Sequence, residues 1–259
     1  MKKILFAALA AIMLLGASDA VAQSRRNFTR RYNLHRRVET FKGLGIHFGY
    51  VHSSNSVKDL YLNEKDSGKY PRNGFDVGMT MDFMLIPESL YLQTGLDYVY
   101  QMNKPETPEV GFVNLVAKNQ DHYLDIPLHL KYTHPITSEI GVFAQVGPTL
   151  SFGLNSVMTY RARLENGSNA KVEYNYYSGK ITASGLSETI EDFVSKQVPE
   201  SRFSRFDLRL GGAVGARFFD VLEASIGYDW GTFNKFRGET ADLMEMCRRQ
   251  LYVTVGVRF

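Results

Sequence analysis

Nine residues at the C-terminal end constrain the fold more than any other stretch. Leu251-Tyr252-Val253-Thr254-Val255-Gly256-Val257-Arg258-Phe259 places an apolar side chain at every second position. Period-two alternation describes a β-strand with one greasy and one mixed face. Chain ends in water are usually polar and frayed. A final aromatic on the greasy parity fits a strand whose apolar face meets lipid, with Phe259 at the interface. Tyr252, Val255, Val257 and Phe259 are therefore the residues expected to present the chain to a barrel-assembly machinery.

The same alternation recurs upstream. Strands are expected near Gly43–His52, Gly74–Ile86, Leu90–Tyr100, His122–Tyr132, Ile140–Phe152, Phe206–Phe218 and Leu222–Trp230. With the terminal segment they make eight, an even number. Connections after the second, fourth and sixth strands are short. Those after the others are long: 55–73, 103–121, 154–202 and 232–249. Short turns on one side and long loops on the other are the outer-membrane pattern. Aromatics sort as well. Tyr50, Phe75, Tyr98, Tyr100, Phe152, Phe206, Tyr228 and Trp230 fall at the long-loop ends, and Phe83, Tyr132, Phe218 and Phe259 at the short-turn ends. Two aromatic girdles around an aliphatic belt are what a bilayer imposes. The fold expected is all-β: an eight-stranded antiparallel up-and-down transmembrane β-barrel with short periplasmic turns and long extracellular loops.

The N-terminus carries an address. Lys2 and Lys3, the apolar run Ile4–Leu15 and Ala20-Val21-Ala22 form a secretory signal peptide over 1–22. Residues 23–42 form a basic periplasmic arm with Arg25, Arg26, Arg30, Arg31, Arg36 and Arg37 and no acid between 24 and 37. Such a run suits lipid phosphates or an acidic envelope partner. The barrel then occupies 43–259. No later stretch is long and apolar enough for a membrane helix, and a closed barrel is the other structure that satisfies its backbone in lipid. A net charge of +3 carries no nucleic-acid signal, and a single cysteine excludes an internal disulfide framework.

The opposite parity is polar. Asp125, Lys131, Asp207, Arg209, Glu223 and Arg258 are expected to form a lumenal charge network. Eight strands enclose space only for side chains, so a plugged core is expected rather than a pore. Asp125 and Lys131 share one inward face and are expected to pair. Pro127 between them cannot donate to a ladder and marks a bulge or gap. His47 and His129 face inward, toward lumenal acids. Leu186, Ile190, Phe193, Val194 and Gln197 repeat at helical spacing, and Thr240–Cys247 is expected to form a further helical turn.

Tyr123-Leu124-Asp125-Ile126-Pro127-Leu128-His129-Leu130-Lys131-Tyr132 resembles the fourth-strand signature of the PorT-like outer-membrane β-barrel family. Val142-Phe143-Ala144 with Gly147-Pro148, Leu210-Gly211-Gly212-Ala213-Val214-Gly215, and the terminal Val257-Arg258-Phe259 are similar to its later strands. The resemblance spans 43–259. It implies a small outer-membrane barrel without catalytic residues, one branch of the family serving type IX secretion.

Enzymatic alternatives rest on few residues. His52 and Ser54 share a strand face, as a base and nucleophile of a lipid A-modifying rim enzyme must. Asp121 and His122 stand as a possible dyad. No cofactor, no metal ligand set and no phosphate loop is expected. The function expected is non-enzymatic, structural or interactive, through loops and arm. A secretion or envelope-assembly component, a rim enzyme and a narrow channel are the alternatives. Expected partners are outer-membrane lipid, the assembly machinery and an envelope protein.

Overall fold

All eight expected segments are strands. The structure, a computed structural model, describes residues 41–59, 70–103, 109–110, 113–163, 169–185 and 202–259. The signal peptide, the arginine arm and the Leu186–Gln197 segment lie outside the described residues. The strands are β1 (Phe41–Asp59), β2 (Tyr70–Ile86), β3 (Leu90–Met102), β4 (Glu109–Val110), β5 (Val113–Pro135), β6 (Ile140–Arg163), β7 (Asn169–Asn175), β8 (Lys180–Ser184), β9 (Arg202–Phe203), β10 (Phe206–Phe218), β11 (Leu222–Gly231), β12 (Phe236–Arg237) and β13 (Met244–Arg258), with one short helix, α1 (Glu239–Leu243).

Eight of them form a ring, β1-β2-β3-β5-β6-β10-β11-β13, with every neighbouring pair antiparallel. The last strand closes on the first in continuous register from Gly45↔Arg258 to Asp59↔Met244. Closure leaves the ring no open edge within the membrane. Its seam begins at Gly43, whose φ of 134° lies in the region that favours glycine. A side chain there would collide with the Phe259 carbonyl oxygen. The Phe259 amide donates to the Leu44 carbonyl at 2.8 Å, so the final residue ties off the first strand.

The alternation separates two solvents. Outside, Ile46, Val77, Met79, Leu96, Leu130, Val146, Val214, Ile226, Val253 and Val255 are all exposed. Inside, Asp82, Gln93, Asp125, His129, Lys131, Thr149, Ser151, Asp207, Arg209, Asp229 and Arg258 are buried. This is the inverse of a water-soluble barrel and matches lipid outside and a packed polar lumen inside. Pro127 leaves a gap in the ladder: β3 pairs with β5 at Thr94↔Leu128 and again at Asp97↔Asp125, with nothing paired between.

The long connections differ from their expected loop state. β1 continues to Asp59, β2 starts at Tyr70, β5 starts at Val113 and β6 runs to Arg163. The third connection also contains β7 and β8, which extend the sheet from the outer part of β6. These parts carry no apolar alternation because their outer face meets water. Lys118-Asn119-Gln120-Asp121 in β5 is polar on both faces, so no greasy stripe marks it. Thr240–Cys247 is helical only at its start; α1 ends at Leu243, and Met244 begins β13.

Candidate functional site

The lumen is filled in three levels, each built by inward residues of several strands. At the periplasmic level Lys131 of β5, Arg217 of β10, Glu223 of β11, Arg258 of β13 and Asp82 of β2 form one knot. The Lys131 ammonium donates to both Glu223 oxygens, at 3.1 and 2.9 Å, and lies 3.6 Å from Asp82. Arg217 donates to Glu223 at 2.8 Å. Arg258 pairs with Asp82 and reaches Glu223 at 3.2 Å. Gln93 donates to the other Asp82 oxygen at 2.9 Å. Lys131 also sits 4.3 Å over the Phe143 ring. Each carboxylate thus meets several cations or donors, which is what keeps buried charge tolerable.

At the middle level Arg209 pairs with Asp125 and lies 3.7 Å from Asp229. Ser151 donates to Asp125 at 2.5 Å, and Arg248 donates to Ser151 at 3.1 Å. Arg248 lies 3.8 Å from Asp207. Asp125 and Lys131 do not pair: one joins the Arg209 group and the other the Glu223 knot. Shared parity puts two residues in the lumen, but strand tilt and stagger choose their partners. His47 Nε2 lies 3.6 Å from Asp76 and 3.5 Å from Asp97. His129 instead bonds Thr149 at 3.1 Å and Gln145 at 3.3 Å, neutral partners rather than the acids expected for it. A cavity of about 90 Å3 remains here.

At the extracellular level Val51, Val99 and Tyr123 form an apolar cluster, with Tyr252 packed against it. Above it Ser53 donates to Gln101 at 2.7 Å and Gln101 to Gln250 at 3.2 Å. Arg72 pairs with Asp121, which also accepts from Ser156 at 2.6 Å. The connection from Thr232 to Arg237 folds over this mouth and carries Lys235 inside. Lys235 accepts at its carbonyl from Ser204 and donates its amide to Met246, at 2.7 and 2.9 Å. Its Nζ donates to the Tyr123 hydroxyl at 2.9 Å. Burial, reinforced by the positive charges of Arg72 and Arg248, holds the Lys235 amine well below the usual lysine range, with Asp207 opposing. Phe236 and Arg237 of β12 pair with Phe203 and Arg202 of β9, and Tyr176 stacks on Phe203 at 4.2 Å. Burial pushes the Tyr176 hydroxyl up to about 12. Nothing in a two-residue strand signals this cap; Lys235 reads in sequence as an ordinary loop lysine.

At the rim, His52 and the Asp121–His122 pair each engage other groups. His52 Nδ1 bonds Asn73 Oδ1 at 2.7 Å, and Tyr50 donates to the same oxygen at 2.7 Å. Asp121 points inward to Arg72, whereas His122 points outward and bonds the Tyr98 hydroxyl at 2.6 Å. Neighbouring residues of a strand face opposite ways, so these two form no dyad. Among the described residues no group of three His, Cys, Asp or Glu side chains is placed to hold a metal ion. Of the terminal residues, Val255 and Phe259 are exposed, Val257 is covered, and Tyr252 points into the lumen.

A closed ring of lipid-facing strands around a charged, packed interior defines a bacterial outer-membrane β-barrel. The sequence matches the model of the outer membrane protein beta-barrel domain over residues 21–237, and the chain belongs to that family. No curated protein matches it in sequence. Among solved structures it is similar to Ail, the attachment invasion locus protein of Yersinia pestis, in complex with the heparin analogue sucrose octasulfate (8% identity, 84% of this chain and 100% of that one, TM-score 0.39). It is also similar to Neisserial surface protein A (12%, 85% and 100%, TM-score 0.37) and to the transport unit of the autotransporter AIDA-I from Escherichia coli (9%, 87% and 93%, TM-score 0.33).

Proposed function

We propose that this protein is a non-enzymatic barrel with a sealed lumen, whose working surface is the sheet and cap raised outside the membrane. The observation that carries the reading is the dense packing of the lumen by paired charges, which leaves a cavity of about 90 Å3 at the middle level. Six carboxylates and six Lys or Arg side chains are buried there, so charge is compensated by protein groups rather than by a continuous wet path. What extends beyond the membrane is substantial. A tilted spanning strand needs about 9–11 residues, whereas β5 has 23 and β6 has 24. On the outer part Arg161, Lys180, Arg205 and Arg237 are exposed, against Asp242 among the described acids. That surface suits an acidic partner. Planar-bilayer recording of the refolded protein, beside a heat-modifiability gel, tests the seal. A gel shift without stable conductance supports it; steady ion-selective openings end it.

A second reading, a component of a secretion or envelope-assembly machinery, draws on the arginine run Arg25–Arg37 and on the PorT-like signature at Tyr123–Tyr132. It requires a complex that co-purifies with the full chain and is lost when residues 25–37 are deleted. Co-purification unchanged by the deletion removes the arm from consideration.

A further inference from the structure

The lipid-facing wall is apolar along the bilayer and changes character at one level of β13. On the outward parity of that strand Val255, Val253 and Leu251 are exposed, and Arg249 follows them. Arg249 stands directly across from Trp230 of β11 on one side and Ser54 of β1 on the other. Trp230 is 56% exposed and belongs, with Tyr228 at 5.8 Å, to the extracellular aromatic girdle. Such a girdle lies at the headgroup level of a bilayer. The register therefore sets a guanidinium among lipid headgroups rather than in the open water above them.

The surroundings position this group without engaging its donors. A long basic side chain at a membrane edge ordinarily extends toward water. Arg249 instead lies 5.4 Å over the Trp230 ring centroid, and its Nε is shielded from solvent without a hydrogen-bond partner. A ring, not an acceptor, fixes the guanidinium. Arg205 differs at the same girdle. It stacks on Tyr177 at 4.8 Å, but its Nη1 donates to the Gly153 and Leu154 carbonyls at 3.1 and 3.2 Å. Further donors flank Arg249 on β1: Ser54 is its cross-strand neighbour, and His52, next on that face, engages Asn73 through Nδ1 and keeps Nε2. Glu245, the acid on this face of β13, is four residues further out and accepts from the Cys247 thiol at 3.5 Å.

We propose that Arg249, on its Trp230 platform, binds the phosphate group of a lipid headgroup in the outer leaflet, with the acyl chains lying down the apolar wall beneath it. A guanidinium presents a planar fork that matches two phosphate oxygens at once, and it is weakly enough hydrated to do so while stacked on an aromatic face. The chains meet Leu251, Val253 and Ile226, all of them exposed. A free phosphate ion gains the charge contact alone and must leave water for it. A lipid phosphate is already held at this level, which is why the lipid is the occupant.

Trp230 is the sole tryptophan of the chain, so its emission reports on this site directly. The full chain, refolded in dodecylmaltoside micelles, is titrated with phosphatidic acid, with the diacylglycerol of the same acyl chains, and with inorganic phosphate. Phosphatidic acid is expected to change the Trp230 emission saturably, and the other two are not. Arg249→Gln is expected to weaken the apparent affinity about tenfold or more, the loss of a charged hydrogen bond. An absent response to phosphatidic acid, an equal response to diacylglycerol, saturation by inorganic phosphate, or an affinity unchanged in Arg249→Gln overturns the proposal. Should the variant fail to shift on the gel, salt decides on the native chain. The phosphatidic acid response is expected to weaken between about 0.05 and about 0.5 M sodium chloride as screening grows, and a salt-independent response sinks the site. None of these outcomes depends on whether the barrel conducts.

Discussion

Glu223 carries more of the periplasmic knot than its partner Lys131 does, although the two bond each other. Removing Lys131 leaves Asp82 and Glu223 facing Arg217 and Arg258, two charges of each sign. Removing Glu223 leaves Lys131, Arg217 and Arg258 facing Asp82 alone. Breaking a buried pair so that charge is uncompensated costs about 3–5 kcal/mol. Glu223→Gln is therefore expected to lower stability by about that much, and Lys131→Met by less than half of it. Urea unfolding in detergent micelles measures both; the reverse order would show that Lys131 contributes more than its charge. The lumenal glycines allow a second comparison. The Tyr252 ring occupies the space a side chain at Gly227 would take. Gly227→Val is expected to cost about 1–3 kcal/mol by overpacking, visible as a lower heat-modifiability midpoint. Gly238, with open space around it, is the control for crowding, though its φ of 66° adds some strain to any substitution. A Gly227→Val protein as stable as the native one would mean that Tyr252 repacks freely.

At the scale of the element, the cap formed by β9, β12 and the Thr232–Arg237 connection encloses an amine whose pKa is lowered by burial and by the charges of Arg72 and Arg248. Lys235 has a folded-state pKa below its unfolded value. From the folded value up to about 10.4, the unfolded residue binds more protons than the folded one, so closure strengthens as pH rises through that window. As pH falls the amine must take up a proton beside Arg72 and Arg248, and the cap loosens. Protection of the Phe236 and Arg237 amides, relative to the intrinsic exchange rate at each pH, is expected to fall on acidification and to lose that dependence in Lys235→Met. Protection as pH-dependent in the variant as in the native chain would place the titration elsewhere. The cap was illegible in sequence for a physical reason. A strand is recognisable when one face meets an apolar phase, and Leu44–Tyr50 or Leu251–Phe259 carry that signature because lipid imposes it. Above the membrane the constraint disappears, so Lys118–Asp121 and Phe236–Arg237 read as loop. Partner choice was equally hidden: parity turns Asp125 and Lys131 inward, but barrel stagger alone brings Arg209 to one and Glu223 to the other.

For the whole molecule, the ring and the outer sheet are separable. The ring is held by β1 against β13, by Phe206–Phe218 against Ile140–Phe152, and by the lower parts of β5 and β6. Among the described residues, β7 pairs with Val157–Arg163 of β6 and with β8, and β8 with β7 alone. Every strand crossing the bilayer keeps both neighbours when β7 and β8 are absent, and the lumenal knots lie below the level at which they attach. Among the described residues this outer hairpin meets the cap through Tyr176 and Phe203, where the Phe203 amide donates to the Tyr176 carbonyl at 2.9 Å. Replacing residues 164–201 by a short polar linker is therefore expected to leave a barrel that inserts, shifts on the gel and remains non-conducting, while faster exchange spreads through Phe203 and Phe236. The same deletion is expected to remove cell-surface interactions that depend on the outer sheet, because Lys180 and its neighbours go with it. A deletion protein that no longer folds would mean that the outer sheet helps to close the ring during assembly. In that case the extent of β5 and β6 beyond the membrane serves the barrel itself rather than a partner.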